Sequence, residues 1–138
     1  MVSDEYELEK LKANLVYLMD AYMSVMEILE NCKDEHGVSY ISQPEIARRL
    51  GVSQTAIAKR FKNLIRFGSV KKIGYKNAYM LINKDILKNT PLGLLAKLMI
   101  ELEKDPDIRI DYYKQAELMK VSYRDVQIAW GYLTFVTS

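Results

Sequence analysis

Between Tyr40 and Ile82 the chain reads YISQPEIARRLGVSQTAIAKRFKNLIRFGSVKKIGYKNAYMLI, and the punctuation of this stretch constrains the fold more than any other feature. Ser42 with Glu45 three residues on is a capping box, in which the hydroxyl takes a free amide and the carboxylate reaches back to the cap. A helix is expected over Gln43 to Leu50, stopped by Gly51 in the left-handed conformation. Val52 plugs the turn, and Ser53 caps a second helix from Gln54 to Phe67. Ile46, Ala47, Leu50, Ile57, Phe61, Leu64 and Ile65 are spaced to bury one face of each helix.

Two short helices joined by a glycine-bearing turn form a helix-turn-helix. Gly68 ends the second helix, and Val70–Ile73 and Ala78–Ile82 then read as short strands. They are joined through Gly74-Tyr75-Lys76-Asn77, which is hairpin chemistry. This combination resembles the winged-helix DNA-binding domains of bacterial and archaeal regulators, chiefly through PEIARRLGVSQTAIAKRFKNL. The resemblance implies that the second helix is the recognition helix and the hairpin the wing.

Charge supports a polyanionic partner. Residues 1–36 carry three basic and nine acidic side chains, a balance of −6, whereas residues 37–91 carry eleven and two, a balance of +9. Residues 92–138 carry six and seven, a balance of −1. A solvated face normally mixes signs, so the excess on the middle segment is the footprint of a nucleic-acid binder. On a major-groove helix, reading is done by the exposed N-terminal face, here Ser53, Gln54, Thr55, Ala56, Lys59, Arg60 and Asn63. Gln54 suits adenine, Thr55 and Ala56 a thymine methyl, and Arg60 guanine or phosphate. Gln43 and the wing residues Lys71, Lys72, Tyr75 and Lys76 are the expected backbone contacts; for each, an ordinary exposed side chain is the alternative.

Residues 3–33 contain neither proline nor glycine and read as one long helix. Leu8, Leu11, Leu15, Leu18, Tyr22, Val25, Leu29 and Cys32 form a heptad seam, widened by Val16, Met19, Met23 and Met26. The second half of the helix is expected to pack on its own domain. The first half, Glu5 to Met19, is expected to pair with another subunit, with Leu8, Leu11, Leu15, Leu18 and Tyr22 as the dimer seam. The alternative is that the whole helix lies on the C-terminal segment of the same chain. Ser39–Ile41 is a candidate third strand. Pro91 starts a helix over Leu92–Glu103, with Leu94, Leu95, Leu98, Met99 and Leu102 inside, and Asp105-Pro106-Asp107 breaks it.

Shifting the chain by 69 positions aligns Leu29 with Leu98, Ile41 with Ile110, Leu50 with Met119, Ala47 with Ala116, Val52 with Val121 and Ser53 with Ser122. It also aligns Ile57 with Val126, Phe61 with Trp130 and Leu64 with Leu133. A degenerate, wingless second helix-turn-helix-like repeat follows, with helices near Tyr112–Met119 and Tyr123–Val136. Its surface has lost the phosphate-binding charge, since Arg48 becomes Glu117, Lys59 Ile128, Arg60 Ala129 and Lys62 Gly131. Tyr112, Tyr113, Tyr123, Ile128 and Tyr132 suit either a protein interface or the core of a small unit. The fold class is therefore mostly α with a small β-hairpin wing. Three segments are expected: a dimerising helix over 1–36, a winged helix-turn-helix over 37–91, and a protein-interacting repeat over 92–138.

Catalysis finds no support. His36 is the only histidine, Cys32 lies on an apolar seam where core packing is its ordinary role, and no phosphate-cradling glycine loop occurs. No catalytic residue, metal site or cofactor is expected. A single cysteine suits a reducing compartment, and no apolar run approaches the ~18 residues of a membrane span. Five acidic groups in residues 1–20 are unlike a signal peptide, so the expected location is cytoplasmic. The reading is a sequence-specific double-stranded DNA-binding protein acting as a homodimer in transcription regulation. Its alternatives are a plasmid or phage replication-initiation or partition protein, and a winged-helix protein-interaction module.

Overall fold

The computed structural model describes residues 4–74 and 76–134, with side chains from residue 7 to residue 133. Contacts divide the chain into two compact units, Asp20–Ile86 and the pairing of Met1–Met19 with Leu87–Ser138. The expected boundary at residue 36 is therefore not where the contacts divide. Helix α1, Asp4–Cys32, contributes its first half to one unit and its second half to the other.

In Asp20–Ile86, α2 (Gln43–Leu50) and α3 (Gln54–Arg66) form where their caps dictate. Ser42 Oγ accepts from the Glu45 amide at 3.3 Å and Ser53 Oγ from the Ala56 amide at 3.0 Å, satisfying donors that the first helical turn leaves open. Gly51 sits at φ 67°, and the Val52 amide returns to the Ala47 carbonyl at 3.0 Å. Only half of the capping box forms: the Glu45 carboxylate accepts from Arg48 and Arg49 instead of its own cap. Ile46, Ala47, Ile57, Phe61 and Leu64 are buried as expected. Leu50 is only half-buried, and Ile65 is 41% exposed. At 100° per residue Ile65 lies at the edge of the arc centred on Ile57, Phe61 and Leu64.

Gly68, at φ 78°, ends α3, and the chain enters an antiparallel sheet in the order β1 (Val38–Ser39), β3 (Tyr79–Leu81), β2 (Val70–Lys72). Val70 opposes Leu81 and Lys72 opposes Tyr79 in the hairpin, while Val38 opposes Met80. Each hairpin strand is shorter than expected, and the third strand starts one residue before and ends two residues before the expected Ser39–Ile41. Phe61 packs on Tyr79 with ring centroids 4.4 Å apart. The second half of α1 buries Tyr22, Val25, Met26 and Leu29, and the Leu29 carbonyl accepts from Ser39 Oγ at 2.5 Å.

In the other unit, α4 (Pro91–Lys104) begins at Thr90, whose Oγ1 accepts from the Gly93 amide at 3.2 Å. Gly93 is required there, because a Cβ would fall onto the Leu87 carbonyl. The break at Asp105 leads into a 3-10 helix, Pro106–Ile110, then α5 (Tyr112–Met119) and α6 (Tyr123–Thr134). Their local geometry follows α2 and α3 at the 69-residue offset. Asp111 Oδ1 accepts from the Lys114 amide and Ser122 Oγ from the Asp125 amide, each at 3.0 Å. Lys120 takes the left-handed turn, φ 57°, that Gly51 takes in the first pair. Ala116, Val126, Trp130 and Leu133 are buried like their counterparts. Ile110 departs from the pattern, being 83% exposed where Ile41 is buried.

The first half of α1 is not the free face expected of it. Leu15 is buried, Leu8, Leu11 and Leu18 are half-buried, and Lys12 and Arg109 form ion pairs with Glu103 and Glu7 within the same unit. Val16 and Tyr17 point outward instead.

Candidate nucleic-acid interface

Helix α3 presents its apolar residues to the core and a basic face to solvent. With successive residues 100° apart, Thr55, Lys59, Lys62 and Arg66 fall within about 60° of one another, opposite Ile57, Phe61 and Leu64. All four are exposed. Lys62 enters the sequence reading only as a phosphate-binding charge that the second repeat lacks, and Arg66 does not enter it, although their spacing from Lys59 at three and seven residues is a legible signal.

The remaining expected readers divide by what already holds them. Gln54 is exposed at the start of α3, and Ala56 and Arg60 are half-buried. The Ser53 hydroxyl is engaged as the cap. Asn63 Nδ2 donates to the Tyr22 hydroxyl at 2.8 Å, tying α3 to α1 within the unit. Tyr22 also meets Phe67 edge-on, centroids 5.5 Å apart, so the C-terminal half of α3 is anchored from one side. Gln43 Nε2 donates to the Tyr79 hydroxyl at 3.1 Å, linking α2 to β3. These two amides orient the helices, and their donors are partly occupied before any ligand arrives.

On the hairpin, Lys71, Lys72 and Lys76 are exposed. Lys71 and Lys72 are successive strand residues and point to opposite faces, so a duplex lying on one face meets one of them. Tyr75 lies outside the described residues. Of the dimer seam, Leu15 and Tyr22 are buried within the chain and Leu8, Leu11 and Leu18 half-buried.

Not all of the positive charge of this segment is uncompensated. Glu45 accepts from Arg48 Nε at 2.9 Å and Nη2 at 2.5 Å and from Arg49 Nε at 3.1 Å. The guanidiniums of Arg48 and then Arg49 hold its carboxyl down at about 2, and Glu45 in turn raises both arginines. Glu30 is likewise lowered, first by Lys33 and then by Lys84, at 2.7 and 2.8 Å.

Residues 39–68 match the family model for winged helix-turn-helix DNA-binding domains, a span running from β1 through α2 and α3 to Gly68. Over these residues the chain is similar to winged helix-turn-helix DNA-binding domains, and the β2–β3 hairpin follows directly after the matched span, where such a domain has its wing. Comparison with curated proteins and with solved structures found no match. Among the described residues no cluster of three or more His, Cys, Asp or Glu could hold a metal ion. No described helix is long and apolar enough to cross a membrane.

Proposed function

We propose that the protein is a cytoplasmic, non-enzymatic transcription regulator that binds double-stranded DNA sequence-specifically as a homodimer. The observation that carries this reading is the exposed basic face of α3, preceded by Gln54 and Thr55 at the helix start. In this arrangement Gln54, Thr55 and Arg60 read base edges, while Lys59, Lys62, Arg66 and the hairpin lysines meet phosphates and fix the register. Since a duplex meets one of Lys71 and Lys72, five exposed cations per chain would give a slope of log affinity against log salt of about −4.5, and about −9 for a pair of chains.

Titration of one labelled duplex at several salt concentrations tests the reading, and a flat response would sink it. Selection of bound DNA from a random pool should then enrich one motif. A second reading, a plasmid or phage replication-initiation or partition protein, is favoured by the correspondence of α5–α6 with α2–α3 at the 69-residue offset. Enriched sites clustered at a replication origin rather than upstream of genes would select it.

A further inference from the structure

The unit containing α4–α6 has a cleft of about 220 Å³ between the first turns of α1 and the α5–α6 pair. Its apolar wall is Trp130 and Tyr112, whose rings are nearly parallel (7°) with centroids 6.3 Å apart, flanked by Leu11 and Leu133. Glu7, Lys10 and Asn14 complete the lining. With Leu11 they fall at spacings of three, four and seven, which is one face of α1.

The charges of this rim are not balanced. Glu7 faces Arg109 at 3.9 Å, whereas Lys10 and Asn14 make no ion pair or side-chain hydrogen bond among the described residues. Among the described residues the cleft therefore offers one ammonium without a counter-charge and one amide above an aromatic wall. The wall is also held in place. Trp130 Nε1 donates to Gln115 Oε1 at 2.7 Å, and Gln115 Nε2 donates to the carbonyls of Ile108 and Arg109 at 2.7 and 3.0 Å. An indole fixed by a buried, fully bonded glutamine loses little freedom when a ligand covers it, which favours binding. In the other unit the counterpart of Trp130, Phe61, is covered by Tyr79 of the sheet. Around Trp130 a polar stripe of α1 takes part in the covering, and the cleft is what it leaves open.

We propose that this cleft binds a small aromatic carboxylate. The ring lies against Trp130 and Tyr112, one carboxylate oxygen pairs with Lys10 Nζ, and Asn14 donates to the other. The volume is below the 300–1,000 Å³ of pockets for drug-sized ligands, so the site takes a single ring system with a short acidic arm. An anion is selected because Lys10 is the charge of the rim with no ion pair among the described residues, and an aromatic ring because the Trp130 and Tyr112 rings line the cleft with their planes 7° apart. This inference goes beyond DNA binding and does not rest on it.

Trp130 is the only tryptophan of the chain, so its emission reports the cleft directly. The full chain is titrated with 3-phenylpropionate at constant ionic strength, with acetate and phenethylamine as controls, while the indole N–H resonance of Trp130 is followed by NMR. A saturable change with a Kd of about 1 mM or tighter is expected for 3-phenylpropionate. Acetate should give no saturation, and phenethylamine should bind at least about tenfold more weakly. Lys10→Gln, a change on the surface of α1, should weaken the acid about tenfold while leaving circular dichroism unchanged. The proposal is overturned if neither emission nor resonance saturates, if the amine binds as tightly as the acid, or if Lys10→Gln binds the acid as well as wild type.

Discussion

Trp130 Nε1 donates a 2.7 Å hydrogen bond to Gln115 Oε1, and 69 positions earlier Phe61 and Ile46 are both apolar and buried. One pair of core positions is thus filled by a polar bolt in one unit and by hydrocarbon in the other. Gln115 is fully buried and each of its polar atoms is bonded, so the bolt holds only as a set. Gln115→Ile, which installs the residue of the first pair, removes the acceptor of the indole N–H and one donor each from the Ile108 and Arg109 carbonyls, of which the Ile108 carbonyl keeps the Asp111 amide at 3.0 Å. At about 1–3 kcal/mol for an unsatisfied buried group, the expected loss is about 3 kcal/mol in urea unfolding followed by circular dichroism. Adding Trp130→Phe should cost about 1 kcal/mol less than the sum of the single changes. Additivity within about 0.5 kcal/mol would mean that the bond contributes nothing.

The recognition helix offers a contrast between a residue that reads and one that positions. Asn63 is bonded to the Tyr22 hydroxyl, whereas Gln54 is exposed at the helix start. Gln54→Ala should lose about 1–3 kcal/mol of discrimination at one base pair. Asn63→Ala should weaken cognate and random duplexes by the same factor and should lower stability, as should Tyr22→Phe, which removes the other partner of the bond. Competition titrations measure the ratio. A selective loss for Asn63→Ala would return that amide to the bases.

Acid should expose the arginine clamp on α2. The folded-state pKa of Glu45 is about 2 against an ordinary 4.5, so its stabilising contribution is complete above pH 4.5 and is lost as pH falls towards 2. Glu45→Gln should therefore flatten the stability–pH curve across that window and leave the protein less stable than wild type at neutral pH. Glu30, lowered first by Lys33, and Asp34, lowered first by the Val38 amide, titrate in the same direction and remain. The slope should shrink without vanishing, and an unchanged slope would mean the clamp does not form in solution.

How much of this was legible in the sequence depends on the range of the interaction. Caps, the left-handed Gly51 and the spacing of Ile57, Phe61 and Leu64 are local chemistry, and they appear where the residues dictate. Asn63 and Gln43 read as exposed amides because their partners, Tyr22 and Tyr79, are 41 and 36 residues away. Periodicity gives a helix face without the width of its buried arc, so Ile65 reads as deeper than it lies, and alignment of Ile110 with the buried Ile41 does not carry over the sheet that covers Ile41's unit. Lys120 in a left-handed turn carries no glycine to announce it. Gln115 was missed for the reverse reason: a polar residue at a core position reads as surface until its three partners are seen.

Self-association, if it runs through α1, must use a face that the chain has not already covered. Leu15 is buried within its own unit, so an aspartate there would place a charge in the core and unfold the unit before it reported on any dimer. Val16 and Tyr17, at 55% and 60% exposed, are the adjacent apolar residues that α1 leaves open in that unit. We expect the homodimer to form across them. Replacing both with lysine should bring the light-scattering mass down to the 16.0 kDa of one chain while circular dichroism stays unchanged. Joined recognition helices read half-sites about 34 Å apart, and linking two binding modules raises apparent affinity by about a hundredfold or more. The double variant should therefore lose about that factor on a duplex with two half-sites and nothing on a duplex with one. A variant that keeps the dimer mass would move the interface off α1, and the next surface to change would be that around Tyr113, 74% exposed on α5.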